Sequence, residues 1–157
     1  MALTYAPNVS LLVNNAGGLI QSLPDERVGG KLRIWVERIT LAQQTIGDQI
    51  QIARLPFGAV PLDIWMETTA TLGAAPTVAI GDKNNVSRFS AAGTFTSADA
   101  RTSKINSTSV GVPLTTAYDN AGVSNTNYED VLLTIGVSSL PAAGTLTTVI
   151  EYLDYGS

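Results

Sequence analysis

Apolar side chains recur at alternate positions along this chain, and no stretch of ten residues or more repeats them at helical spacing. In the run Leu32-Arg33-Ile34-Trp35-Val36-Glu37, an extended backbone puts Leu32, Ile34 and Val36 on one face and Arg33, Trp35 and Glu37 on the other. Residues 60–68 repeat the pattern, with Leu62, Ile64 and Met66 on one side and Asp63, Trp65 and Glu67 on the opposite one. A period of two, broken by short turns, restricts the chain to a two-sheet sandwich or a closed barrel.

The phase of the first run slips near Arg38-Ile39, which predicts a bulge or a bend between sheets. Further strands are predicted over 49–55, 77–80, 109–118, 128–137 and 144–155. Pro56-Phe57-Gly58-Ala59, Leu72 to Pro76, Gly81 to Asn85 and Asp119 to Gly122 carry turn or loop chemistry, and Pro141-Ala142-Ala143-Gly144 fits a hairpin connection. Pro113 cannot donate to a ladder, so its strand is expected at an edge or a bulge. Phe89 and Phe95 are expected as core anchors. Seven or eight strands point to an all-β, jelly-roll-like two-sheet β-sandwich. An immunoglobulin sandwich uses about 100 residues and a Cys/Trp/Cys signature, which a chain of 157 residues without cysteine does not offer.

Residues 1–30 read differently. No charge precedes Asp25, Asn14-Asn15-Ala16-Gly17-Gly18 and Gly29-Gly30 interrupt the segment, and Leu11, Leu12, Val13, Leu19 and Ile20 give it apolar character. A solvated tail would be charged. The segment is therefore expected to be an extended N-terminal arm that packs on its own domain or reaches a neighbouring subunit, with residues 31–157 as the single sandwich domain.

The chain has neither cysteine nor histidine, which excludes thiol nucleophiles, histidine-dependent triads and the usual zinc sites. Carboxylate pairs remain. Asp63 and Glu67 share a strand face but stand roughly 13 Å apart, wider than glycosidase pairs use, and Glu129 and Asp130 point to opposite faces. The loops at Asp82-Lys83-Asn84-Asn85 and Asp119-Asn120 offer oxygen ligands without the spacing of a calcium loop, and no glycine motif fits a nucleotide. The chain is expected to be no enzyme and to need no cofactor.

Nine basic and thirteen acidic residues give a net charge of −4, and charged residues make up 14 % of the chain, about half the usual ~25 % share. Lys31, Arg33 and Arg38 come nearest to a basic cluster, and Glu37 interrupts them, so nucleic acid is not an expected partner. The apolar stretch 9–13 is too short for a signal core or a membrane span, which leaves no membrane role and a cytoplasmic site of synthesis. A sparsely charged surface loses little solvation when another protein covers it.

Both tryptophans fall on the charged parity of their strands, in Arg33-Trp35-Glu37 and Asp63-Trp65-Glu67. Aromatic rings among complementary charges match a protein–protein hot spot with its rim. Coverage of the rings by the arm within one subunit, or stacking on a saccharide, fits the same pattern. The candidate interface set is thus Arg33, Trp35, Glu37, Asp63, Trp65 and Glu67, with Leu11, Leu12 and Val13 of the arm.

From about Gly47 to Tyr152 the chain resembles the jelly-roll cement, or decoration, proteins on the heads of tailed bacteriophages. The resemblance runs through Leu55-Pro56-Phe57-Gly58-Ala59, Leu62-Asp63-Ile64-Trp65-Met66, Leu72-Gly73, Val78-Ala79-Ile80-Gly81-Asp82, Arg88-Phe89 and Val149-Ile150-Glu151-Tyr152. It implies a homo-oligomer, a trimer, seated on the outer surface of the virion capsid and tying neighbouring copies of the major capsid protein together. A carbohydrate- or receptor-binding jelly roll of a phage tail or fibre, with Trp35 or Trp65 stacked on a sugar, is the alternative from another class.

Overall fold

The computed structural model describes residues 30–155, with Ala100, Lys104 and the side chains of Phe95 and Thr102 outside the description. The arm residues Leu11, Leu12 and Val13 therefore lie outside the described residues. Ten strands run in chain order as β1 (Lys31–Thr40), β2 (Gln49–Pro56), β3 (Val60–Thr68), β4 (Gly73–Gly81), β5 (Ser90–Phe95), β6 (Thr102–Ser103), β7 (Ala117–Tyr118), β8 (Ser124–Asn125), β9 (Tyr128–Gly136) and β10 (Thr145–Asp154). One sheet has the order β1-β10-β3-β6, the facing sheet β2-β9-β4-β5, and β7 and β8 form a separate ribbon. All pairs are antiparallel. The chain crosses from sheet to sheet at nearly every connection, which is the double Greek-key winding of a jelly roll.

The core lies between the sheets. Ile64 and Met66 of β3, Leu146 and Ile150 of β10, Ile52 and Leu55 of β2, Val78 and Ile80 of β4, and Val131, Leu133 and Ile135 of β9 fill it, together with Phe89. The expected alternation over β3 holds, with Ile64 and Met66 inward and Asp63, Trp65 and Glu67 on the other face. Between β2 and β3, the Ala59 N–H donates to the Pro56 carbonyl at 3.1 Å while Gly58 takes φ +81°. That is a type II turn, whose third residue favours glycine. The β7–β8 ribbon closes on Asp119, whose carboxylate Oδ1 accepts the Ala121 and Val123 N–H groups.

Four expectations need correction. First, β1 has no bulge at Arg38-Ile39, because its register with β10 is regular from Lys31 to Thr40. The apolar phase changes there because Leu32, Ile34 and Val36 point out of the sandwich while Ile39 and Leu41 point in. Second, residues 109–116 form no strand. They run beside the β2–β3 turn, with the Gly111 N–H donating to the Pro61 carbonyl, Leu114 to Ala59 and Gly58 to Leu114, and only Ala117 and Tyr118 pair regularly. Third, β4 starts at Gly73, so Pro76 lies inside a strand; β9 pairs only from Thr77 onward, and no ladder bond to β9 is asked of the proline. Fourth, Pro141 to Gly144 is a crossover between sheets, since β9 and β10 belong to different ones. The irregularities lie instead in β2 at Ile52, in β10 between Glu151 and Tyr152, and in β4 against β5, between Gly73 and Val78 and between Val78 and Ile80.

Candidate interaction surface

Opposed residues of an antiparallel pair point to the same face, so the register sorts the candidate residues of β1 and β3. Trp35 is opposite Ile150, a core residue, and shares the inner face with Arg33, Glu37 and Ile39. Trp65 is opposite Val149 and lies on the outer face with Asp63 and Glu67. The two tryptophans thus sit on opposite faces of one sheet, although each lies on the charged parity of its own strand. The sequence reports parity along each strand but not which parity faces the second sheet, and β1 and β3 resolve that choice differently.

Trp35 reaches the inner face where the sandwich is open. It is 37 % exposed and lines a cleft with Glu37 of β1 and Gln51, Ile52, Ala53 and Arg54 of β2. Beside it, the Arg33 guanidinium lies 3.5 Å from the Asp154 carboxylate. Trp65 is covered instead: the Arg101 guanidinium stacks 3.8 Å from its ring centroid and lies 3.8 Å from Glu151. The Ser103 hydroxyl donates to Asp63 at 2.6 Å on the same face.

The outer face of β1 carries its apolar side chains. Leu32, Ile34 and Val36 are 58 %, 60 % and 53 % exposed. Val149 and Leu153 of β10 continue this face inward, opposite Val36 and Leu32. β1 is also the last strand of its sheet, pairing with β10 alone among the described residues. An edge strand of ten residues with an apolar face invites a further strand, and among the described residues only the charges on its inner side blunt it.

The acidic groups at the other end of β9 do structural work. The buried Asp82 carboxylate accepts the Asn84 and Asn85 N–H groups on Oδ1, both at 2.7 Å, and the Arg88 guanidinium at 3.0 Å on Oδ2. Arg88 also lies 3.2 Å from the buried Glu129 and donates to the Thr116 carbonyl. Asp130, on the opposite face of β9, takes Arg54 at 2.7 Å, the Gln51 amide and the Asn120 N–H. Among the described residues no group of three or more acidic side chains could hold a metal ion. These ion pairs were not read from the sequence, where no spacing links Arg88 to Glu129.

Burial pushes the Glu129 carboxyl up to about 7 from its ordinary 4.5, against the opposing pull of the Tyr118 N–H and of Arg88. The folded chain then holds a proton that the unfolded chain releases between those two values. Stability from this group is full below pH 4.5 and is lost as the pH rises through 7, a swing on the order of 2–3 kcal/mol. Urea denaturation should give a lower midpoint at pH 8 than at pH 5, and Glu129→Gln should flatten that slope. A midpoint that rises over this range, or an unchanged slope in the variant, would contradict the assignment.

No family model matches the chain, and no curated protein matches it in sequence. Solved structures do share its fold. It is similar to a chain of the cyanophage Pam1 capsid asymmetric unit, with a TM-score of 0.60 and 18 % identity over 90 % of this chain and 97 % of that one. A chain of the capsid of Ralstonia phage GP4 gives 0.60 and 20 % identity over 90 % and 94 %. A chain of the acidic stable capsid structure of Helicobacter pylori bacteriophage KHP30 gives 0.56 and 11 % over 80 % and 89 %. At these identities the likeness is one of fold.

Proposed function

We propose that the chain is a non-enzymatic structural protein of a tailed-phage virion, bound as a trimer to the outer surface of the head, where it cements neighbouring major capsid subunits. The observation that carries this reading is the correspondence of its jelly roll with chains of three phage capsid structures over 80–90 % of this chain and 89–97 % of those chains. The physics is compatible. A sparsely charged surface and an apolar outer strand face are inexpensive to cover with protein, and a trimer touching several shell subunits gains avidity from linked modest contacts.

Quantitative mass spectrometry of purified virions tests the placement. A shell-wide cement should appear in a simple ratio to the major capsid protein, whereas a few copies per particle would assign the chain to a tail or receptor-binding part. Particles lacking it should lose their DNA at lower temperature or under milder osmotic shock than complete ones. Equal resistance of the two kinds of particle would overturn the cementing role.

A further inference from the structure

We propose that β1 is a self-complementary docking edge, which joins two copies of this chain antiparallel about a two-fold axis through Ile34 and merges their β1-β10-β3-β6 sheets into one. The surface is the edge of β1, unpaired among the described residues, with its outward stripe of Leu32, Ile34 and Val36, all more than half exposed. The occupant follows from the order of side chains along the strand. In an isologous antiparallel pair, facing residues share a face and their numbers have a constant even sum.

With the axis at Ile34, Leu32 meets Val36 and Ile34 meets Ile34 on the outer face, so the apolar stripe runs unbroken across the junction. On the inner face Lys31 meets Glu37 and Arg33 meets Trp35, an opposite-charge pair and a cation–π pair, each formed twice. Arg38 falls opposite Gly30 and opposes no charge. Neighbouring registers lose this match. An axis at Arg33 puts Arg33 on Arg33; one at Trp35 pairs Arg33 with Glu37 but breaks the apolar stripe by putting Arg38 against Leu32; one at Val36 puts Arg38 against Ile34. Backbone hydrogen bonds supply affinity in any register, and the side chains select one.

This goes beyond the capsid reading and requires neither a trimer nor a shell. Because the chain has no cysteine, a single introduced thiol reports one position without background. Full-length Ile34→Cys, oxidised at micromolar concentration, should give dimeric chains on a non-reducing denaturing gel. Val86→Cys, exposed elsewhere on the surface, should give few. In sedimentation experiments without any thiol, Glu37→Lys should weaken self-association about tenfold or more. The double variant Lys31→Glu/Glu37→Lys should restore it to within a factor of about three, since the swapped pair keeps the same register. The proposal is overturned if Ile34→Cys cross-links no better than Val86→Cys, as it would were residues 1–29 of the same chain seated on β1. It is equally overturned if the charge swap restores nothing. A chain absent from virions that still cross-links through Ile34 would remove the capsid reading and leave this one standing.

Discussion

Arg88→Met should lose about 3–5 kcal/mol of folding stability at pH 8, the cost of leaving buried charge without its partner. Asp82 and Glu129 expose 2 % and none of their side chains, and one guanidinium lies between them, at 3.0 Å and 3.2 Å. Methionine keeps most of the stem volume but removes the cation and the donor to the Thr116 carbonyl. Two carboxylates then face each other in a site that cannot solvate them. The loss should shrink at pH 5, because Glu129, already pushed up to about 7 by burial, takes a proton and needs no counter-charge. Adding Asp82→Asn and Glu129→Gln to Arg88→Met should recover part of the stability at pH 8 for the same reason. Arg88→Lys should not match the wild type, since a single ammonium cannot reach Asp82, Glu129 and Thr116 in the geometry of a planar fork. A loss below about 1 kcal/mol, or one equal at both pH values, would show that the cluster is solvated and unimportant.

How far the sequence could be read depended on whether a strand's two faces meet different surroundings. β3 was legible because its inward Ile64 and Met66 and outward Asp63, Trp65 and Glu67 differ in polarity as the core and the surface do. β1 was legible as a strand but not in orientation: its apolar parity faces solvent, and its mixed parity, Arg33, Trp35 and Glu37, faces inward at the open rim of the sandwich. An alternating strand fixes register relative to a core only when the core lies on its apolar side. The segment 109–118, rich in valine and threonine, has strand propensity, but Pro113 and the hydrogen bonds to the β2–β3 turn hold most of it outside any ladder. β5 went unread because Ser90, Ala91, Ala92 and Gly93 carry little strand signal; its partner β4 supplies the reason it is extended. The Arg88 cluster has no local signature at all, since its members come from the loop after β4, the segment before β7 and the start of β9, and only the closed fold brings them together.

Gly81→Ala should cost more than about 3 kcal/mol and abolish the order of the loop that carries Arg88. Gly81 ends β4 opposite Leu132 of β9 and is followed by the turn that the Asp82 side chain holds closed. A methyl group built there would stand 2.0 Å from the Asn85 carbonyl oxygen and 2.5 Å from the Val86 carbonyl carbon. Both are backbone atoms, so no rotamer change relieves the clash. The turn must move outward, which breaks the 3.0 Å bond from the Asp82 N–H to the Asn85 carbonyl and draws Asp82 away from Arg88. One added methyl group therefore removes a turn and unpairs a buried carboxylate. Thermal unfolding should shift down by roughly 6–12 °C for a chain of this size, and the pH 5 to pH 8 slope set by Glu129 should change as its neighbour Arg88 loses its position. Gly47→Ala makes the informative control. Gly47 has φ +87° and open space around it, so its substitution strains the backbone without a clash and should cost about 1 kcal/mol. If the two variants lose equal stability, the close approach at Gly81 is not what constrains that position, and the loop after β4 yields more freely than its hydrogen bonds imply.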